Sequence, residues 1–289
     1  MKNSNEKLFA TSKDAIEYYG LDYKIEKWPV FAQLNSPPVE IPDKYATMRL
    51  DTIKPLGVVG SVYTVVQNID AFDFIDTIAA ECSVLFNLVK EIDDGRMMVV
   101  KAQLGDEIGI QKDTLRKTLL LTNSHDGSSK VRVQFNIENK SNNTLLSFSL
   151  PNIAASLDVK HTTNMGEKLT EGKRTITSAH AAFKQVFDIF HKMDKLDLIL
   201  ADVVTLVHRI INPKNKKLTP QKQKMINAIV VFFNSKNTIS LWEVYTSIAE
   251  YIDTKTKKNG KDNINYKWFG GGNAVKEESF SQIVKTYNL

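Results

Sequence analysis

Cysteine is almost missing from this 289-residue chain, in which Cys82 stands alone. A single thiol excludes internal disulfides and any multi-cysteine zinc site. Its place in an apolar helical pattern predicts a small buried hydrophobe. Long uncharged apolar runs are missing too, and none approaches the length of a bilayer span. The opening MKNSNEKLFATSKDAIEYY lacks the apolar centre of a secretory signal, so the expected location is cytoplasmic. GVVG (Gly57 to Gly60) lacks the G-K-[ST] ending of a P-loop, which leaves nucleotide hydrolysis unsupported. Neither an internal repeat nor a long low-complexity tract is present.

Acidic residues disappear between Val203 and Trp242, where Arg209, Lys214, Lys216, Lys217, Lys222, Lys224 and Lys236 supply seven positive charges. Lys255, Lys257, Lys258 and Lys261 follow shortly after. The net charge of +5 is modest, but clustering of this kind favours a polyanionic partner. A solvated, lysine-rich linker and helix face is the competing reading. What remains is ordinary for a core-forming protein, with 42% hydrophobic and 25% charged residues.

The patterning predicts an α+β fold: an antiparallel, β-hairpin-rich sheet packed with helices, then a mostly helical C-terminal half. Residues 1–44 form an N-terminal arm in this reading, because WPVFAQLNSPPVEIP suggests an extended arm or loop. Residues 45–155 form the sheet domain, with strands at YATMRLDT and GVVGSVYTVVQ and turn chemistry at IKPLG between them. IDAFDFIDTIAAECSVLFNLV places Phe72, Ile75, Ile78, Ala79, Cys82, Leu85 and Phe86 on one helical stripe. DDGR at 93–96 reads as a hairpin turn, followed by strands at MMVVKAQL, KTLLLTN, SKVRVQFNIE and TLLSFSL. Residues 156–289 read as helical, either separate from the sheet or one body with it. Asn212-Pro213 should stop one helix, and Thr219 and Pro220 should open the next.

TNSHDGSSKVRVQF (Thr122 to Phe135) is the stretch closest to a catalytic motif. His125-Asp126 has no evident partner, because His161, His180, His191 and His208 form neither an H-x-x-x-H pair nor an H-E-x-x-H motif. Asp126-Gly127 is instead a strong hairpin signal, since both positions tolerate positive φ. Ser128 and Ser129 do not lie in a nucleophile elbow. Beyond the turn Lys130, Arg132, Gln134 and Asn136 alternate with Val131, Val133, Phe135 and Ile137. Period-two geometry would bury the second set and present two cations and two amides to a nucleic-acid backbone. The competing reading is an ordinary solvated sheet face. WFGGGNAVKEE puts three glycines before a helix whose N-terminus can hold a phosphate, or marks a flexible turn. Tyr63 and Trp268 can stack on bases, or belong to the core.

Several segments together resemble the domain of unknown function family 932, the phage/plasmid-like proteins. They are YATMRLDTIKPLGVVGSVYTVVQNIDAFDFID, LTNSHDGSSKVRVQF, NNTLLSF, VKHTTNMGEKL and SLWEVYTSIAEYIDTKTKKNG…WFGGGNAVK, in the family's order from about Tyr45 onward. IENKSNNTLL departs from the family pattern in having no cysteine, which argues against a thiol role there. The resemblance implies a mobile-element protein, with a host-cell cytoplasmic location if phage-encoded. A more distant, fold-level similarity is to phage single-strand annealing proteins, which hold single-stranded DNA by its backbone in oligomeric rings.

The leading expectation is therefore an ATP-independent protein that binds and anneals single-stranded DNA, working as a homo-oligomeric ring or filament. It needs no cofactor, metal or nucleotide, has no membrane partner, and is not an enzyme. Arg49, Lys101, Lys130, Arg132, Lys160, His161, Lys168, Lys173 and Arg174 are the candidate DNA-binding residues. One alternative is a non-enzymatic protein-binding factor, a host-defence antagonist or assembly component using VVFF and LWEVY in the helical half. The other is a metal-dependent nuclease centred on His125 and Asp126.

Overall fold

Turn chemistry and period-two alternation fold most of the first half of the chain into antiparallel hairpins. The structure, a computed structural model, describes residues 7–33, 37–150, 155–159, 164–213, 216–255, 257–258 and 261–289. A short helix, α1 (Ser12–Tyr18), precedes β1 (Ile25–Ala32), β2 (Val39–Arg49) and β3 (Lys54–Gly60), which pair in that order as an antiparallel sheet. The proline-bearing stretch expected as an arm or loop is extended but paired: Trp28 faces Ala46, and Phe31 faces Glu40. Pro29 is tolerated because β1 is an edge strand, where a missing N–H is not needed. The turn before β3 is also displaced from IKPLG. Pro55 lies within β3 opposite Met48, where the register shifts, and Ile53 turns the chain at φ 51°.

The largest difference lies between Ile69 and Val89. Apart from a single 3₁₀ turn at Asn68–Asp70, only α2 (Asp73–Asp76) is helical there, and Val84–Ile92 is strand β4. Phe86 belongs to the helical stripe, but it also alternates with Val84 at a period of two, and both are buried. The hairpin turn decides between them, with Asp93, Asp94 and Gly95 at positive φ and Ile92 paired with Met97 across it. Cys82 falls in the turn before β4 and is half-buried instead of core.

Strands β5 (Met97–Leu104), β6 (Ile108–Ile110), β7 (Asp113–Ser124), β8 (Arg132–Asn139), β9 (Thr144–Leu146) and β10 (Ser156–Asp158) complete a seven-stranded sheet. Its order is β10-β8-β7-β5-β4, with β6 on β7 and β9 on β8. Helices follow: α3 (Met165–Asp194), α4 (Leu200–Ile211), α5 (Pro220–Val231), α6 (Leu241–Lys255) and α7 (Gly271–Tyr287). Thr219 caps α5 by accepting the Lys222 N–H, with Pro220 at the first position. The fold class is α+β, hairpins first and helices after. Among the described residues no helix is long and apolar enough to cross a membrane.

Two compact units arise, each assembled from three stretches of chain. The first contains residues 1–105, 118–134 and 156–178, and the second residues 106–117, 135–155 and 179–289. Blocks 45–155 and 156–289 therefore contribute to both. In the first unit α1 is fixed by Asp76, whose carboxylate accepts from the Ser12 N–H (2.7 Å) and hydroxyl (2.8 Å). The core of the second is aromatic: Phe190 lies 4.8 Å from Trp242, 5.7 Å from Tyr245 and 6.0 Å from Phe280, centroid to centroid. Tyr245 donates to the Ser147 carbonyl, and the Trp242 indole to Asp113, so both polar handles are satisfied. LWEVY is core, whereas Val231 and Phe232 of VVFF are 64% and 57% exposed.

Candidate nucleic-acid interface

Within the first unit, the segment after β7 is the tight turn that Asp126-Gly127 suggests. One carboxylate oxygen of Asp126 accepts from the Ser124 hydroxyl (2.6 Å) and the Ser128 N–H (2.9 Å). The two serine hydroxyls lie 3.0 Å apart. Burial opposes ionisation of Asp126, but the hydrogen bonds from Ser124 and Ser128 outweigh it and hold the carboxyl below its ordinary pKa. Gly127 takes φ +79°, and β3 passes directly beneath the turn. A Cβ on Gly57 would stand 2.5 Å from the Asp126 Cα, so GVVG is glycine-bearing because two backbones meet there.

His125 faces away from solvent and is fully buried. Its Nε2 lies 2.7 Å from the Asn68 Oδ1. Asn68 donates its amide N–H to the Leu21 carbonyl, which leaves Oδ1 as acceptor and places the imidazole proton on Nε2. Nδ1 has no hydrogen-bond partner. Burial lowers the His125 pKa to about 4, despite the opposing charge of Asp126. The ring is thus neutral at pH 7. Thr47 donates to the His125 carbonyl at 2.6 Å, and the His125 N–H reaches the Arg96 carbonyl at 2.8 Å. A nuclease centre on this pair is opposed by its geometry: the imidazole is sealed, and the carboxylate holds its own turn. Among the described residues no three His, Cys, Asp or Glu side chains are grouped to hold a metal ion.

Beside the turn lies a groove of about 930 Å³, whose lining includes Tyr63, Asn123, Ser128, Lys130, Arg132 and Asp158. Tyr63 donates to the Ser124 carbonyl at 3.0 Å, and the Lys27 ammonium holds the carbonyls of Ser61 and Tyr63, each at 2.8 Å. This tethers the Tyr63 wall. Also in the lining, Lys130 and Arg132 are exposed while Val131 and Val133 are buried, as the alternation predicts. The exposed face ends sooner than expected. Gln134 is half-buried, and Asn136 is buried in the second unit, accepting from the Ser147 hydroxyl. Arg132 pairs across β10 with Asp158 at 2.7 Å. That hydrogen bond from Arg132 holds the Asp158 carboxyl below its ordinary pKa, and the Lys130 charge adds to the effect. Among the described residues, two cations and one anion therefore line the groove.

The other candidates are scattered. Arg174 reaches the Asp158 carbonyl at 3.4 Å and pairs with Glu171, while Lys173 is exposed on α3. Lys160 and His161 lie outside the described residues, immediately after the groove residue Val159. Three residues are engaged elsewhere. Arg49 bonds Asp51 and Glu91 at 2.8 and 2.6 Å and stacks on Tyr23, Lys168 pairs with Asp73 at 2.6 Å, and Lys101 is only 8% exposed within β5. Period two puts Lys101 on the face opposite Val100 and Ala102, and it is buried nonetheless because the sheet is covered on both faces there.

In the second unit, two of the three glycines of WFGGG stand against an aromatic ring. Cβ atoms on Gly271 and Gly272 would stand 3.1 and 2.8 Å from the Tyr266 ring, which lies against the first turn of α7. Trp268 packs edge-on to Phe269. Sequence reasoning missed Asp158: the three-residue strand that carries it has too short a pattern to register, and only its pairing with Arg132 brings it into the groove.

No curated protein and no solved structure matches the chain. A family pattern does match, over residues 55–278, more than three quarters of the length, and takes in β3, the Asp126 turn, the groove strands and the Tyr266 glycines. The chain belongs to the domain of unknown function family 932 (DUF932).

Proposed function

We propose that the first unit binds single-stranded DNA along the groove beside the Asp126 turn, and that the protein anneals strands without ATP as a homo-oligomeric ring or filament. The observation that carries this reading is the exposed pair Lys130 and Arg132, which line one groove together with Tyr63. Cations at this spacing neutralise successive phosphates, releasing counterions, and hydroxyl and amide groups of Ser128 and Asn123 offer hydrogen bonds to phosphate or sugar oxygens. Tyr63 supplies an aromatic surface for a base. Annealing and the ring rest on fold-level analogy with phage annealing proteins alone.

The test is binding of labelled single-stranded DNA across a salt series, for the protein and for Lys130→Glu/Arg132→Glu, with the mass measured alongside. The expected result is weaker binding to every sequence and a flatter salt dependence in the variant. Unchanged affinity and slope would remove this groove from the reading. A large oligomer that binds would justify a strand-pairing assay.

A second reading, a non-enzymatic protein-binding factor, is supported by the exposed Val231 and Phe232 at the end of α5. Absence of DNA binding at low salt would favour it.

A further inference from the structure

A second groove, of about 590 Å³, lies wholly within the helical unit. Ile211 at the end of α4, Met225 and Ala228 on α5, Tyr251 on α6, Tyr266, and Val275 on α7 supply its apolar surface. Lys222, Lys224 and Lys255 also line it, side chains whose aliphatic stems can cover apolar surface while their ammonium groups stay hydrated. On α5, Gln221, Met225 and Ala228 follow i, i+4, i+7 spacing, and the same stripe continues past the helix end to the exposed Phe232. This stripe would cover a core in an ordinary surface helix, yet Ala228 and Phe232 are exposed.

Charge restricts the occupant. Among the described residues the groove has no acidic lining residue, and the sequence has none from Val203 through Trp242. The exposed Lys216 and Lys217 lead into the N-terminus of α5, whose dipole adds positive potential. An apolar floor with cations at its edge suits a ligand that is apolar on one side and acidic on the other. We propose that this groove receives the apolar face of an acidic amphipathic helix from a protein partner. Helix-in-groove recognition needs a concave apolar surface met by anchors at helical spacing, and Met225 provides an adaptable contact. A nucleic-acid strand fits less well, because Ile211, Met225, Ala228 and Val275 give its phosphates and sugars nothing to bond.

The probe is a fluorescein-labelled synthetic peptide of roughly sixteen residues, leucine at i, i+3, i+4, i+7 spacing and glutamate elsewhere, set against a scrambled peptide of equal composition. Anisotropy with the full chain should show the amphipathic peptide binding at least about tenfold tighter than the scrambled one, a gap of about 1.4 kcal/mol. Ala228→Trp, which fills the groove from an exposed position, should abolish that difference, and Lys222→Glu/Lys224→Glu should weaken binding about tenfold or more. Unchanged melting temperatures show that both variants fold. No binding, equal binding of the two peptides, or equal binding by Ala228→Trp overturns the proposal. So does competitive displacement by a single-stranded oligonucleotide or a long-chain carboxylate, which would assign the lysines to that ligand instead.

Discussion

Asp253 and Lys276 hold the backbone N–H and carbonyl of a single residue, Leu145, between them. The Asp253 carboxylate accepts the Leu145 N–H at 2.9 Å, Lys276 donates to the Leu145 carbonyl at 2.9 Å, and the two side chains meet at 2.5 Å. Lys276 is fully buried. Burial raises the Asp253 pKa and lowers that of Lys276, and each charge opposes the effect of burial on the other. In this way α6 and α7 grip β9.

Removing one partner leaves the other charge buried and unpaired. Lys276→Met should therefore destabilise the protein by about 3–5 kcal/mol in denaturant unfolding. Adding Asp253→Asn removes the stranded charge while keeping an acceptor for Leu145, and the double variant should be more stable than Lys276→Met alone. A double variant no better than the single one would show that the pair acts through something other than charge.

His125 makes stability depend on pH. Its folded pKa of about 4 lies below the ordinary 6.5, so the unfolded chain takes up the proton first as pH falls. The stabilisation is complete above pH 6.5 and is lost on descent towards pH 4. Between pH 7.5 and 4.5 the loss should be about 2–3 kcal/mol. His125→Gln keeps a donor for Asn68 but does not titrate, so its pH dependence over this window should be shallower by that amount. Parallel curves would contradict the burial argument.

Gly57→Ala forces a methyl group onto the backbone of Asp126. The expected cost is about 1–3 kcal/mol, seen as a lower melting temperature, together with weaker binding of any ligand that uses Lys130. Gly60→Ala meets nothing within 4 Å and serves as the matched control.

Asp158 restrains Arg132. In Asp158→Asn the guanidinium is released and a net negative charge leaves the groove, so affinity for single-stranded DNA should rise and its salt slope steepen by about one phosphate contact. An unchanged slope would show that Arg132 does not reach the backbone.

The sequence disclosed most where one local cause dominates. The Thr219-Pro220 start of α5, the DDGR turn and the Asp126-Gly127 turn all fall where cap and turn chemistry place them. Pattern alone is ambiguous where one run satisfies two periods, as from Val84 to Val89, which pairing with β5 turns into strand. The groove was half legible. Alternation identifies Lys130 and Arg132 as exposed, but period two cannot distinguish an exposed face from a second buried one, and so it gives no sign that Lys101 and Asn136 are buried. The Tyr266 ring against Gly272 had no linear signal beyond the glycines themselves.

The interleaving of the two units bears on how the chain can be made and cut. Residues 1–105 lack the strand residues 118–124 that pair with β5, and residues 179–289 lack the β9 that Asp253 and Lys276 grip. No single cut releases either unit whole. During synthesis from the N-terminus, the edge of β5 stays uncovered until Ser124 has emerged from the ribosome, and the first unit cannot close until Ser178 has followed. A fragment library of this protein should therefore yield aggregates in place of domains, and limited proteolysis should produce nicked chains that remain together.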